Sequence, residues 1–351
     1  MCGIYGYYSN IEKIKINDFQ NINKLFHRGP DGSNSWISQN KNIIFQHARL
    51  SIIDLTTKSN QPMIYNDGQL VLVYNGEVYN YIELKEELLK LGHNFKSTGD
   101  TEVVLKSYLE WGTECFKKFN GMFALAIFDK KNTNKEKIIL ARDRLGKKPL
   151  YYCYKENLFE FSSETKAMNC EKTIDLKSLD YYLSLGYIPD SKTISKEIKK
   201  IKPGHFASLD LNTNKFIEEA YWKLENFNYE KNNNIDFVAN KTWEMLKESV
   251  SLRLRTDADY GIFLSGGLDS SLITAAAAEV HPNELNTFNV SVEDKNLNEE
   301  NYALEVSKYF KTKHHIINVK KEDFLNSFEE ILNLTDEPLG DSSIIPSYII
   351  T

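Results

Sequence analysis

The sequence is poor in proline and cysteine, with 8 and 4 of each in 351 residues. No apolar run approaches the roughly 18 residues that would read as a bilayer span, so no membrane partner is expected. The N-terminus has neither the basic nor the apolar region of a signal peptide. The net charge is −6, with no basic surplus to meet phosphates, so no nucleic-acid partner is expected. The four cysteines, Cys2, Cys115, Cys153 and Cys170, include no pair at metal-ligand spacing, and the seven histidines form no zinc pattern. This usage fits a reducing, cytoplasmic compartment, with Cys115, Cys153 and Cys170 as packing residues.

What is present suits an ordinary globular chain. Hydrophobic residues make up 41% and charged residues 26%, and the length allows two domains with separate cores. Gly3 to Tyr8 alternates small and apolar residues and reads as a strand. Leu70 to Tyr74 reads as a second strand, and His47 to Asp54 as another carrying one arginine. Helices are expected over Ile82 to Leu91 and from Gly99 onward. Gly121 to Phe128 and Lys137 to Ala141 read as core strands.

Cys2 directly follows the initiator, which is normally removed before a small residue. The mature chain would then begin with a thiol and a free amine on one residue. Such an amine titrates at about 7.7–8.0 and a free thiol near about 8.5, so a partly neutral amine can take the thiol proton. The rest of a kit for cleaving the glutamine side-chain amide follows. Asn75 and Gly76 can supply an amide side chain and a backbone N–H to an oxyanion. Arg49 can hold an α-carboxylate as a fork, and Asp100 can hold an α-ammonium.

In order, Met-Cys-Gly-Ile, Arg28-Gly29-Pro30-Asp31, Ala48 to Asp54, Asn75 to Asn80 and Gly99 to Glu102 resemble the glutaminase domain of glutamine-dependent asparagine synthetases. Gly121 to Ala124, Arg142 to Tyr152, Ser162 to Ala167 and Pro203-Gly204-His205 continue the match. The resemblance implies an αββα sandwich of the N-terminal-nucleophile hydrolase type. It implies that Cys2 is nucleophile and base, that Asn75 and Gly76 form the oxyanion hole, and that Arg49 and Asp100 hold glutamine, with Ile53 and Glu77 lining the pocket. Arg142-Asp143-Arg144 is expected to fix domain structure by ion pairing.

Glu225 to Asn234 is polar and aperiodic and reads as a linker. The boundary is placed near Asn228, giving domains 2–228 and 229–351. A helix is expected over Ile235 to Leu254, with Val238, Leu246 and Val250 buried. Tyr260 to Leu264 reads as a buried strand, followed at once by Ser265-Gly266-Gly267-Leu268-Asp269-Ser270-Ser271 and an Ala-rich helix. A strand, a Gly-rich loop and a helix turn backbone N–H groups toward a phosphate, the serines add donors and Asp269 can hold Mg²⁺. No Lys-Ser/Thr follows the glycines, which excludes the Walker A loop. Alternating strands and helices over Thr287 to Leu334 argue for a parallel sheet. His314 and His315 read as structural.

This half resembles the ATP-pyrophosphatase domain of the same synthetases. The resemblance implies an α/β parallel-sheet domain binding ATP and Mg²⁺, with Leu264, Ser265, Gly266, Gly267, Asp269, Ser270, Ser271 and Val290 at the nucleotide. The chain ends at Thr351, where the family continues with further acidic and lysine-bearing segments, so a truncated chain is expected. The implied activity is glutamine-dependent asparagine synthesis from glutamine, aspartate and ATP. The alternatives are another carboxylate acceptor, or a chain with glutaminase or glutamine-binding activity only. A homodimer is compatible with the resemblance.

Overall fold

The computed structural model describes residues 1–132, 135–189, 191–224, 234–281, 284–293 and 298–351, with the side chains of 16–19 excepted. The expected linker lies almost wholly outside the described residues. By packing, the chain divides into two units, Met1–Glu225 with Asp336–Gly340, and Asn226–Thr335 with Asp341–Thr351.

In the first unit the strands are β1 (Gly3–Ser9), β2 (Gly32–Ile37), β3 (Ile43–Arg49), β4 (Met63–Tyr65), β5 (Leu70–Val78), β6 (Gly121–Asp129) and β7 (Lys137–Arg142). β8 (Tyr151–Lys155), β9 (Leu158–Ser162), β10 (Ile198–Lys200), β11 (His205–Asp210) and β12 (Lys215–Ala220) complete the set. Two six-stranded sheets result, in the orders β10-β8-β9-β1-β3-β2 and β12-β11-β7-β6-β5-β4. Their pairings are antiparallel. This is the expected sandwich.

Strand periodicity explains the layering, because alternate side chains face opposite sides. Ile4 and Tyr8 of β1, Ile43 and Phe45 of β3, and Val71 and Val73 of β5 meet in the core between the sheets. The intervening residues face outward. Leu70, Leu72 and Tyr74 pack beneath α1 (Tyr81–Lys90), α2 (Asp100–Trp111) and α3 (Cys115–Lys118). Tyr5, Ile44 and Ala48 pack with Ile22 and Leu25 of the 3-10 helix Ile16–Arg28. The two flanks therefore differ: one is α-helical and the other is wound more tightly. A fourth helix, α4 (Leu176–Leu185), ends at Gly186 in the left-handed region.

Three readings are corrected. β3 spans Ile43–Arg49 and stops at the arginine; residues 50–54 turn away, with Asp54 at φ 52°. Asn75-Gly76 lies within β5, opposite Ala124 and Phe123 of β6. The Arg142 and Asp143 side chains bind backbone groups instead of forming ion pairs. The Arg142 guanidinium donates to the carbonyls of Lys148, Ile201 and Gly146. The Asp143 carboxylate accepts from the N–H groups of Phe123, Leu145, Lys147 and Lys148.

The second unit opens on α5 (Ile235–Arg253), capped by the Asn234 side chain accepting from Phe237 N at 3.0 Å. Val250 is buried and Leu246 partly so, but Val238 is 48% exposed, contrary to expectation. There follow β13 (Ile262–Phe263), α6 (Leu268–Val280), β14 (Asn286–Val292), α7 (Glu300–Phe310), β15 (Lys313–Val319), α8 (Lys321–Leu334) and α9 (Ile344–Ile350). β13, β14 and β15 form a parallel sheet in that order, as the alternation implied. β13 is shorter than the apolar run suggested, and Phe263 is exposed. His314 bonds Thr287 and His315 stacks on Phe288, both within the sheet. No described helix is long and apolar enough to cross a membrane.

Phe161 is fully buried between the sheets, edge-on to Phe45 at 5.1 Å between ring centroids. Phe161→Ala should cost about 3–5 kcal/mol, read as lost hydrogen-exchange protection of β1 and β9. A loss below about 1 kcal/mol would contradict this packing.

Candidate active site

The same alternation that builds the sandwich delivers the site. On β3, Arg49 continues the inward series of Phe45 and His47. On β5, Asn75 and Glu77 continue that of Val71 and Val73, and Cys2 precedes Ile4 on the inward face of β1. The strands run out of apolar residues at one end of the sandwich, and polar groups take over.

These groups line one cavity of about 220 Å³. Cys2, Arg49, Ile53, Asn75, Gly76, Glu77 and Asp100, the seven residues expected there, all border it. The N-terminus is held firmly. Arg28 Nε donates to the Cys2 carbonyl at 3.0 Å, and Arg28 Nη1 donates to Glu164 at 2.7 Å. Ile4 N donates to Ser163 Oγ and Ser163 N to the Ile4 carbonyl. The Cys2 thiol lies 3.4 Å from Leu50 N. Burial pushes the thiol pKa up, while the Leu50 N–H and the terminal amine pull it down. Burial lowers the pKa of the terminal amine of Met1.

Asn75 is fully buried, and neither its Oδ1 nor its Nδ2 has a hydrogen-bond partner among the described residues. An unsatisfied amide at a cavity wall is costly unless a ligand completes it. Beside it, Gly76 sits at φ 153°, where a Cβ would stand 2.1 Å from the Met122 carbonyl oxygen of β6. Only glycine lets the strands close at this point.

Arg49 is oriented by the loop that follows it. Its Nη1 donates to Thr56 O and Asn60 Oδ1, both at 2.7 Å, and its Nη2 to Asp54 O at 2.5 Å. None of these bonds uses Nε. Asp54 is fixed in turn by Thr56 and by Thr98 N; despite burial, those hydrogen bonds hold its carboxyl below the usual range.

Asp100 is not the helix cap, since Gly99 takes that place. Its carboxylate accepts from Tyr74 Oη at 2.8 Å and Val78 N at 3.0 Å. Burial raises its pKa to about 6 against those bonds. Burial and the nearby Asp100 also push Glu77 upward, while Lys148 pulls it down. Lys148, Gln61, Tyr74 and Thr101 line the cavity without having been singled out from sequence. For Lys148 the only signal was its place in Arg142 to Tyr152, a stretch quoted for resemblance and not for chemistry.

In the second unit, the loop between β13 and α6 is tied internally. Ser265 Oγ lies 3.1 Å from Ser270 Oγ and accepts from Gly267 N at 3.2 Å. Gly266 has φ 87°, and a Cβ there would stand 2.5 Å from Ala303 N on α7. Among the described residues no side chain caps the start of α6, so no cap claims its first-turn N–H groups. A cavity of about 230 Å³ beside the loop is lined by Leu264, Ser265, Asn289 and Val290 among others. Of the expected nucleotide residues, Leu264, Ser265 and Val290 border it. Gly266 and Gly267 lie on the adjacent turn and Asp269, Ser270 and Ser271 at the start of α6, with Asp269 exposed. No three His, Cys, Asp or Glu side chains converge among the described residues to hold a metal ion.

The cavity thus combines the half-buried Cys2 thiol, the Asn75 amide, Arg49 and Asp100 at one end of an antiparallel sandwich, the layout of an N-terminal-nucleophile glutamine amidotransferase. Comparison with known proteins agrees: the profile of the glutamine amidotransferase domain matches residues 1–222, and that of asparagine synthase matches residues 241–351. A Methanocaldococcus jannaschii protein named as a glutamine-hydrolyzing asparagine synthetase is 37% identical, covering 100% of this chain and 71% of its own. Glutamine-hydrolyzing asparagine synthetases 1 and 3 of Bacillus subtilis are 32% and 33% identical, over 100% and 96% of this chain. The chain spans 55% and 57% of those two relatives. The chain belongs to the family of glutamine-hydrolyzing asparagine synthetases. The solved Bacillus subtilis glutamine phosphoribosylpyrophosphate amidotransferase is also similar, at 15% identity over 90% of this chain and 65% of that one, with a TM-score of 0.46.

Gly76→Ala should destabilise the first unit by about 2–3 kcal/mol, since β5 and β6 must part at Met122. A thermal melt that does not shift would contradict this close approach.

Proposed function

We propose that the chain hydrolyses glutamine at Cys2 and uses the ammonia to make asparagine from aspartate and ATP. The observation that carries the first step is the cavity in which thiol, unsatisfied Asn75 amide, Arg49 and Asp100 converge. With Met1 removed, the Cys2 amine takes the thiol proton and the thiolate attacks the glutamine side-chain carbonyl. Asn75 Nδ2 and Gly76 N–H stabilise the oxyanion. Arg49 and Asp100 hold the α-carboxylate and α-ammonium, with Ile53 and Glu77 shaping the pocket. The C–N bond breaks, the amine returns its proton to the leaving ammonia, and water hydrolyses the γ-glutamyl thioester to glutamate.

In the second unit we assign ATP to the cavity and loop. Leu264 and Val290 would meet the adenosine, while Ser265, Gly266, Gly267, Ser270 and Ser271 would hold pyrophosphate at the α6 N-terminus. The apolar cavity walls and the uncapped helix start fit that ligand. Asp269 would be a single protein ligand to Mg²⁺, an ion that takes most of its remaining coordination from phosphate and water. ATP supplies a leaving group on the aspartate β-carboxylate, which ammonia displaces as AMP. The reducing cytoplasm suits a thiol nucleophile. The reading needs no second copy of the chain, and sedimentation velocity separates a monomer from a homodimer.

Cys2→Ala should lower glutamine hydrolysis about a thousandfold or more and leave ammonia-dependent asparagine formation intact. Equal loss of both would contradict separate sites. Asp269→Asn should weaken Mg-ATP binding and spare glutamine hydrolysis, while unchanged ATP affinity would sink that role. If glutamine hydrolysis proceeds without aspartate-dependent pyrophosphate release, the chain is a glutaminase alone.

The Asp100 shift fixes a pH dependence. Only its carboxylate attracts the substrate ammonium, and its pKa stands at about 6. The KM for glutamine should therefore be flat above about pH 7 and rise toward tenfold per unit below about pH 6. Asp100→Asn should raise KM at all pH values and remove that rise. A wild-type KM constant from pH 5 to 8 would contradict the assignment.

A further inference from the structure

Lys148 is a buried cation, only 6% exposed, on the wall of the Cys2 cavity. Among the described residues its ammonium forms no ion pair within 4.0 Å. The acid nearest in sequence cannot neutralise it cheaply, because Asp143 already accepts four backbone N–H groups, Lys148 N among them. Arg142 holds the Lys148 carbonyl at 2.8 Å from the other side. The loop is thus pinned at both ends of the Lys148 peptide, and its product is an unpaired ammonium facing a thiol. Burying such a charge is unfavourable, and a surface position would avoid the cost.

We propose that Lys148 is a positioning residue of the glutaminase site, whose charge keeps the Cys2 amine a free base and favours its thiolate near neutral pH. This rests on the glutaminase reading above. The charged and titratable groups around Cys2 are the terminal amine itself, Arg28 with Glu164 from the 3-10 helix side, Arg49 on β3, Tyr74 and Glu77 on β5, and Asp100 on α2. Glu77 and Asp100 bring negative charge that would hold the amine protonated. Arg28 is spent on Glu164, and Arg49 is turned to the loop carbonyls. Lys148 is the cation left to balance them. With Met1 in place, the Lys148 charge pulls down the pKa of the Cys2 thiol and of the neighbouring Met1 amine.

The test compares wild type with Lys148→Met, Lys148→Gln and Lys148→Arg in two profiles. One is kcat/KM for glutamine against pH. The other is the rate of Cys2 alkylation by iodoacetamide against pH, read by peptide mass spectrometry. We expect the acid limb of both to move up by about one unit in the Met and Gln variants, costing about tenfold at pH 6.5, and to return in the Arg variant. An unmoved limb in whichever of the Met and Gln variants folds overturns the proposal, even if kcat/KM falls uniformly. So does an Arg variant that behaves like Met. If the wild type hydrolyses no glutamine yet the alkylation limb still moves, the glutaminase reading fails while the effect of the Lys148 charge on Cys2 is upheld.

Discussion

Everything at the glutaminase site depends on a chain terminus being held still inside a protein. Termini ordinarily fray, because a strand end loses pairing on both sides. Here β1 is an interior strand of its sheet, paired on both edges by β3 and β9. The Arg28 guanidinium bridges the Cys2 carbonyl to a buried Glu164, so one side chain ties the first residues to the segment that follows β9. His27 and Lys166 also contact that carboxylate, which keeps it ionised and the bridge charged.

A fixed terminus also makes an unusual charge pattern tolerable. The cavity gathers Glu77, Asp100, Arg49 and Lys148 with the thiol. Burial pushes both carboxyls up and Lys148 down, so each is biased toward neutrality. A substrate carrying one α-ammonium and one α-carboxylate would restore the charged forms. The charge pattern is thus complementary to a zwitterion. The buried Asn75 amide, with no hydrogen-bond partner among the described residues, borders the same cavity.

Much of this was readable in the residues, for a physical reason. Alternation is a local property, so β1, β5, β6 and β7 and the parallel second sheet emerge from spacing alone. Arg49, Asn75 and Asp100 stood out only as a set with Cys2, and the fold brings all four to one cavity. The reading of His47 to Asp54 as one strand failed because Leu50, Ile52 and Ile53 extend the apolar pattern while the backbone turns to wall the cavity. Val238 failed because helical period places it on a face that this unit leaves open to solvent. Lys148 escaped notice because neither its residue type nor its spacing marks it; the Arg142 and Asp143 side chains fix its backbone, and the fold of that loop carries its side chain to the cavity wall. The 225–233 stretch lies outside the described residues, so the linker reading stands as sequence alone.

The most direct test of the account is mass spectrometry of the purified chain before and after treatment with 6-diazo-5-oxo-norleucine, an electrophilic glutamine analogue. The account predicts an intact mass lacking Met1 and one equivalent of label on the Cys2 thiol, with glutamine protecting against it. A retained Met1, or a Cys2 that stays unlabelled while the protein is folded, would contradict it.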